Sequence, residues 1–483
     1  MAGESDRHDR FEHPLIDRYA SDEMAWLFSA RHRIRTWRRI WIALAEAQAE
    51  AGLGGVTAGQ VEALRRAADS IDFDRAAELE GELRHDVMAH VHAFGEAAPE
   101  AAGIIHLGAT SAFVVDNADL LIMRDAMRVA ERKALCVVAA LADFAERWAE
   151  LPTLGWTHFQ PAQPTTVGKR ATLWIQDLLL DLDEIAWRLG EFRLRGLKGT
   201  TGTQASFLAL AAGDHAMVEE LERRVVEKLG APGAFPVTGQ TAPRKVDAAW
   251  AATLSGVAQS ASKFGHDLRL LQHLGEVLEP FRARQVGSSA MPYKRNPMRA
   301  ERMCGLARWA IQSSGALAWT AAGQWLERTL DDSAVKRIAL PELFLTADAL
   351  LILWHDVASG AEVREEEIRR RLEAELPTIA TETLLMEAVE AGGDRQALHE
   401  QIRVRAREAA QRVESGEPGD LLDRLAGEAE FAALSEEAWE RVRDPRSHVG
   451  RAPEQVRAFL ERVVLPRLAA YSGPLEMTGE VKV

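Results

Sequence analysis

The chain has little cysteine, fewer positive than negative charges, and no long apolar run. Two cysteines in 483 residues, Cys136 and Cys304, cannot build a disulfide framework, and they give no metal-ligand spacing. Reduced, buried thiols in a cytoplasmic protein are the expectation. The formal net charge of −15 argues against nucleic-acid or anionic-membrane partners. A small anion would therefore need cations gathered locally. No apolar stretch approaches the ~18 residues that a membrane span needs. The N-terminus is polar and mixed in charge, so no secretory signal is expected. No internal repeat, His-Glu-x-x-His, P-loop or dinucleotide fingerprint is present, and strand-like alternation is almost absent.

What the chain does have is long helical patterning. Residues 1–20 read as an unstructured lead-in. Helices are expected over 22–51 and 60–83, then over 111–150, 165–192, 245–272, 298–327 and 333–358. The clearest is the third of the five long ones, 245–272: Val246, Trp250, Leu254, Val257, Ala261, Phe264, Leu268 and Leu271 step by fours and threes. That seam calls for partner helices, whether in an intramolecular core or in an oligomer. Residues 153–166 read as a connection with prolines in it, and 195–204 as a glycine/threonine loop. Beyond Gly360 the composition turns to Glu and Arg, and shorter amphipathic helices follow. The expected architecture is all-α in three helical domains: 1–110, a long-helix bundle over 111–364, and 365–483.

Several stretches carry chemistry. His85, His90 and His92 raise three readings: a zinc site, hydrogen bonding within a packed helix, or a cleft in which Arg84, His85 and Asp86 bind a polar ligand. Thr110 and Ser111 open a long helix, where hydroxyls and backbone N–H groups can receive a carboxylate. Arg328, Ser333, Lys336 and Arg337 put cations and a hydroxyl around one helix start, with Asp332 or Ser333 as its cap. That is either a solvated helix end or a phosphate site.

The most informative stretch is Gln285–Arg299. Gly287, Ser288 and Ser289 supply hydroxyls and N–H donors, Lys294 and Arg295 add charge, and Asn296-Pro297 reads as an N-cap followed by the first helical residue. A cationic loop ending at the positive pole of a helix can hold an anion or favour a serine alkoxide. The plain alternative is a surface connection. The order Gly-Ser-Ser-x-Met-Pro-x-Lys-x-Asn-Pro, eight fixed residues in eleven positions, resembles the signature loop of the fumarase/aspartase superfamily. Arg18-Tyr19-Ala-Ser, Arg84-His85-Asp86, His106-Leu-Gly-Ala-Thr110-Ser111, Thr157-His158-Phe-Gln, Gly199-Thr-Thr-Gly, Gly239-Gln240-Thr and Glu327-Arg328-Thr-Leu-Asp-Asp-Ser333 extend the resemblance over most of the chain. They point to the adenylosuccinate lyase family, in its animal-type form.

The resemblance implies β-elimination of fumarate from adenylosuccinate, giving AMP, and from SAICAR, giving AICAR. It implies no cofactor, no metal, and a homotetramer whose active sites are each built from three subunits. It makes Ser288 the base, with Ser289 as the alternative, His158 the acid, His85 its support, and Lys294 the stabilising cation. Thr110, Ser111, Lys294 and Asn296 would hold the carboxylates. Arg18, Tyr19, Arg328, Ser333 and Arg337 would hold the phosphate and ribose side, and Gln240 and Arg302 the purine and succinyl groups. Arg84, Asp86 and Thr157 complete the expected binding set. Another phosphorylated N-succinyl compound, or a non-catalytic helical scaffold, remain the competing readings.

Overall fold

The computed structural model describes residues 13–282 and 284–481. The expected lead-in falls partly outside these, over residues 1–12. Inside them, Pro14–Arg18 is a short helix, α1. Next come α2 (Asp22–Leu27) and α3 (Ala30–Glu50). One continuous helix was expected here. Ser29 divides it, because its side chain accepts from the His32 amide and caps a new start. Likewise 60–83 is α4 (Ala58–Ala67) and α5 (Phe73–Leu83), with a capping box at Thr57/Gln60 and an Asp72 cap. Asp86–Ala97 forms α6.

The bundle is built from α7 (Ser111–Arg147), α8 (Val167–Gly190), α11 (Arg244–Leu274), α12 (Met298–Ala322) and α13 (Asp331–Gly360). Two shorter helices, α9 (Ala205–Leu210) and α10 (His215–Lys228), lie between α8 and α11. The α11 seam packs as its period demands: Trp250, Leu254, Val257, Ala261, Phe264, Leu268 and Leu271 are all buried. Helix α13 is long and apolar enough to cross a membrane by composition, and 83% of its apolar stretch is buried inside the bundle.

The connection at 153–166 is a β-hairpin, β1 (Pro152–Thr157) paired with β2 (Gln160–Thr166). Its prolines hid it, but a two-stranded ribbon has free edges where proline costs no ladder bond. His158 and Phe159 form its two-residue turn, at φ of 53° and 55°. Turns with both central residues left-handed match the twist of a ribbon. A second, minimal ladder pairs β3 (Val277–Leu278) with β4 (Glu362–Val363).

Past α14 (Glu365–Ile379), residues between Leu376 and Val442 enclose a second apolar core. Val456, Leu460, Val464 and Val481 return to pack on the main one.

Candidate active site

The expected site residues fall into three groups. The first lies at the N-terminal end of α13. Here Asp86, Arg328, Ser333 and Arg337 line one cleft. Arg337 reaches Asp86 at 2.5 Å. Burial works to raise the Asp86 carboxyl; the Arg337 guanidinium and the Val87 amide outweigh it and hold it below the usual carboxylate range. Arg328 donates to Gln240 Oε1 at 2.8 Å, and the Gln240 amide donates to Glu327 O at 3.1 Å. Gly239 lets that approach happen, since a Cβ there would lie 2.6 Å from Glu327 O.

His85 joins the same group. It caps α6, Nδ1 accepting from the Met88 amide at 3.3 Å. A neutral ring that accepts at Nδ1 carries its proton on Nε2, which lies 3.3 Å from Ser111 Oγ. Thr110 is the N-cap residue of α7, and its hydroxyl makes no capping bond, so it remains available to a ligand. Arg84 is exposed in a left-handed conformation that ends α5. The other histidines divide as packing dictates. His90 meets Trp37 edge-on, and burial pushes its ring down to about 4. His92 is exposed. Among the described residues no group of three His, Cys, Asp or Glu side chains is placed to hold a metal.

Two expectations at this end change. Neither Asp332 nor Ser333 caps α13, which starts after Leu330 without a side-chain cap. Asp332 is instead buried against Arg244, 2.8 Å away. Lys336 is not an open cation either: Asp119, Asp116 and Asp247 lie 3.0, 3.3 and 3.8 Å from its Nζ. Burial would lower the Lys336 ammonium, but these carboxylates raise it well above the ordinary lysine value.

The second group is the Gln285–Arg299 loop. Ser288 Oγ accepts from the Met291 amide at 3.1 Å. Ser289 and Lys294 are exposed. Gly287 is required, because a Cβ would sit 2.1 Å from Lys294 O. Asn296 is not the N-cap of α12. That place is taken by Pro297, and the Asn296 side chain donates back to Gly287 O at 2.7 Å, tying the loop shut. The positive pole of α12 is occupied as well. The Glu279 carboxylate accepts from the Arg299 and Ala300 amides at 3.0 and 3.2 Å. This pole is thus already matched to an anion and is not open to Ser288. Arg302 lines a cavity beside the loop together with Arg282, Arg284 and Arg299.

The third group is the hairpin tip, where Thr157 and His158 are exposed. Arg18 and Tyr19 end α1 and are not among the residues that line the cleft; the Arg18 guanidinium lies 6.0 Å from the Tyr19 ring.

Helix α13 sets the distance between the first two groups. Asp332 at its start meets Arg328, and Asp356 near its end meets Arg299 and Arg282. The intervening 24 residues rise about 36 Å at 1.5 Å per residue. One chain therefore carries the loop serine and the Arg328 cleft at opposite ends of its bundle.

Comparison with known proteins gives the family. Residues 18–311 match a family described as "Lyase", and residues 377–459 match "Adenylosuccinate lyase C-terminus". The adenylosuccinate lyase of Saccharomyces cerevisiae is 51% identical over 95% of this chain and 95% of its own length. That of Schistosoma mansoni is 44% identical over 99% and 100%. In fold, the 3-carboxy-cis,cis-muconate lactonizing enzyme of Pseudomonas putida superposes with a TM-score of 0.82 at 25% identity, covering 94% of this chain and 99% of that one. The chain belongs to the adenylosuccinate lyase family, within the fumarase/aspartase superfamily.

Proposed function

We propose that the protein eliminates fumarate from adenylosuccinate, releasing AMP, and from SAICAR, releasing AICAR. The observation that carries this reading is the cleft at the start of α13. There Arg328, Ser333 and Arg337 gather donors for a phosphate within an otherwise acidic chain, and the Ser111–His85 pair adjoins them. In this reading a base removes the proton from the carbon next to a substrate carboxylate. The charge spreads into that carboxylate as the C–N bond breaks, and an acid protonates the leaving nitrogen. Ser288 acts as base and His158 as acid, with Lys294 opposing the developing charge. The Met291 amide, and not the α12 pole, is the donor already aimed at Ser288 Oγ.

The site is completed between subunits of a homotetramer. Two features support this. The loop and the cleft are about 36 Å apart along α13. The bundle also exposes large apolar side chains, Trp309 and Trp319 on α12 and Leu180 and Trp187 on α8, at 48, 81, 60 and 55% exposure. A neighbour's loop and hairpin tip then meet this chain's cleft. Both free cysteines are buried, which suits a cytoplasmic protein.

Proton NMR of the purified protein with adenylosuccinate tests the reaction. Fumarate and AMP should appear in equal amounts, and both should vanish in His158→Ala. A folded, tetrameric protein that leaves adenylosuccinate intact would exclude this substrate.

A further inference from the structure

The cations of the α13 cleft are, with one exception, already matched to carboxylates. Arg337 is held by Asp86, Arg328 lies 3.7 Å from Asp332, and Lys336 sits among Asp116, Asp119 and Asp247. A phosphate dianion entering such a lining can still take their remaining N–H donors, but it meets cations that already share their charge with a carboxylate. The exception is Arg33, which comes from α3 and lines the same cleft. Among the described residues no carboxylate pairs with it.

A second donor stands beside it. Trp37 is four residues further along α3, so the two side chains share one face of the helix. Trp37 also lines the cleft, is only 4% exposed, and its Nε1–H is buried with no acceptor among the described residues. An indole N–H can only donate, and so can a guanidinium. Two acceptor-less donors on consecutive turns, facing a cleft that already offers Ser333 and Arg328, call for a ligand rich in acceptor oxygens.

We propose that Arg33 is a substrate-binding residue. It supplies the unmatched positive charge for the phosphate of the nucleotide, with Trp37 Nε1 donating to an oxygen of the same ligand. This rests on the reading of the cleft as the phosphate end of a nucleotide site. It adds a cation from a segment outside every motif described above.

The test compares wild type, Arg33→Met, Arg33→Lys and Arg328→Met as tetramers. Turnover is measured together with competitive inhibition by AMP, inorganic phosphate and fumarate. Losing one charge-assisted contact to a phosphate should weaken AMP and phosphate about tenfold to a hundredfold. In Arg33→Met this should appear as a raised KM, with kcat changed far less and fumarate inhibition unaltered. Arg33→Lys should recover part of the loss. If wild type is inhibited by AMP and Arg328→Met is not, while Arg33→Met equals wild type, the cleft holds phosphate and the Arg33 assignment falls. If Arg33→Met weakens fumarate but not phosphate, the assignment also falls. If wild type binds neither AMP nor phosphate, the reading of the cleft itself is what fails.

Discussion

The carboxylate of Glu279 closes the N-terminus of α12, accepting the amides of Arg299 and Ala300 at 3.0 and 3.2 Å. The loop that carries Ser288 and Lys294 is thereby hung from a helix whose pole is already satisfied. Glu279→Ala would leave two buried amides without an acceptor. A loss of about 2–3 kcal/mol of stability is expected. Glu279→Gln keeps a carbonyl acceptor and should lose less. Urea unfolding of the two variants decides it, and equal stability of Glu279→Ala and wild type would remove the cap.

The loop itself makes a separable prediction. In Gly287→Ala the new Cβ has no room, because Lys294 O lies 2.1 Å from its position. The backbone must shift between the serines and the lysine. Misplacing catalytic groups by about 1 Å can cost on the order of a hundredfold in rate. Turnover should fall on that scale while the melting temperature stays within a few degrees, since the loop tip contributes little buried apolar surface. A variant with wild-type kcat would show that the Gly287–Asn296 closure is not needed.

Beneath the cleft, four aspartates share two buried cations. Arg244 binds Asp116, Asp332 and Asp247 at 2.6, 2.8 and 3.1 Å, and Lys336 answers Asp119 and Asp116. Burial alone would raise the Asp116 carboxyl, yet Lys336 and Arg244 drive it far below the ordinary value. Removing one partner strands the others. Lys336→Met should cost about 3–5 kcal/mol, more than an exposed pair would. Thermal unfolding checks this. A melting temperature unchanged from wild type would mean that the aspartates accommodate the loss by protonation alone.

Asp181 predicts a pH dependence of unusual sign. It lies on α8 and accepts from Ser260 Oγ of α11 at 2.6 Å, with Asp177 and Glu184 as charged neighbours. Burial, with those two carboxylates, pushes it up to about 7 against its ordinary 3.8. The folded state then holds the proton more tightly than the unfolded state between these values. Its contribution is fully present at low pH and is lost as pH rises toward 7. At one pKa unit per 1.36 kcal/mol, the difference across that window is on the order of 4 kcal/mol. Asp181→Asn should be more stable than wild type at pH 8 and close to it at pH 4. Urea titrations at the two pH values measure it, and parallel pH profiles for both proteins would refute it.

How far the sequence reached depends on the range of the interaction involved. The α11 helix was legible because Trp250, Leu254, Val257 and their successors repeat locally every three or four residues. The His85–Ser111 contact was approachable because both residues stand at helix starts. Glu279 was not, since its role depends on β3 returning to the start of α12, twenty residues later. The hairpin was obscured by Pro161 and Pro164, which break a strand pattern but suit a ribbon edge. Ser29 broke a helix that its apolar periodicity alone would have continued. Arg33 belongs to no motif, and its interest arises only when α3 brings it to the cleft with every neighbouring cation already paired.

The separation of the loop from the cleft gives the sharpest test of a shared site. Ser288→Ala should lack the base and Arg328→Ala should lack the phosphate clamp, so each alone should be nearly inactive. If both functions came from one chain, mixing the two variants could restore nothing, because every chain would carry one defect. If the serine and the arginine come from different subunits, mixed tetramers contain sites that draw both from intact copies. With equal amounts and random assembly each contributor is intact half the time, so about a quarter of sites should be wild type. Co-refolding the two variants and assaying fumarate release should therefore recover roughly a quarter of wild-type activity. Recovery near zero, with tetramers formed, would place Ser288 and Arg328 in the same chain's site and require α13 to bend in a way that its buried, continuous packing opposes.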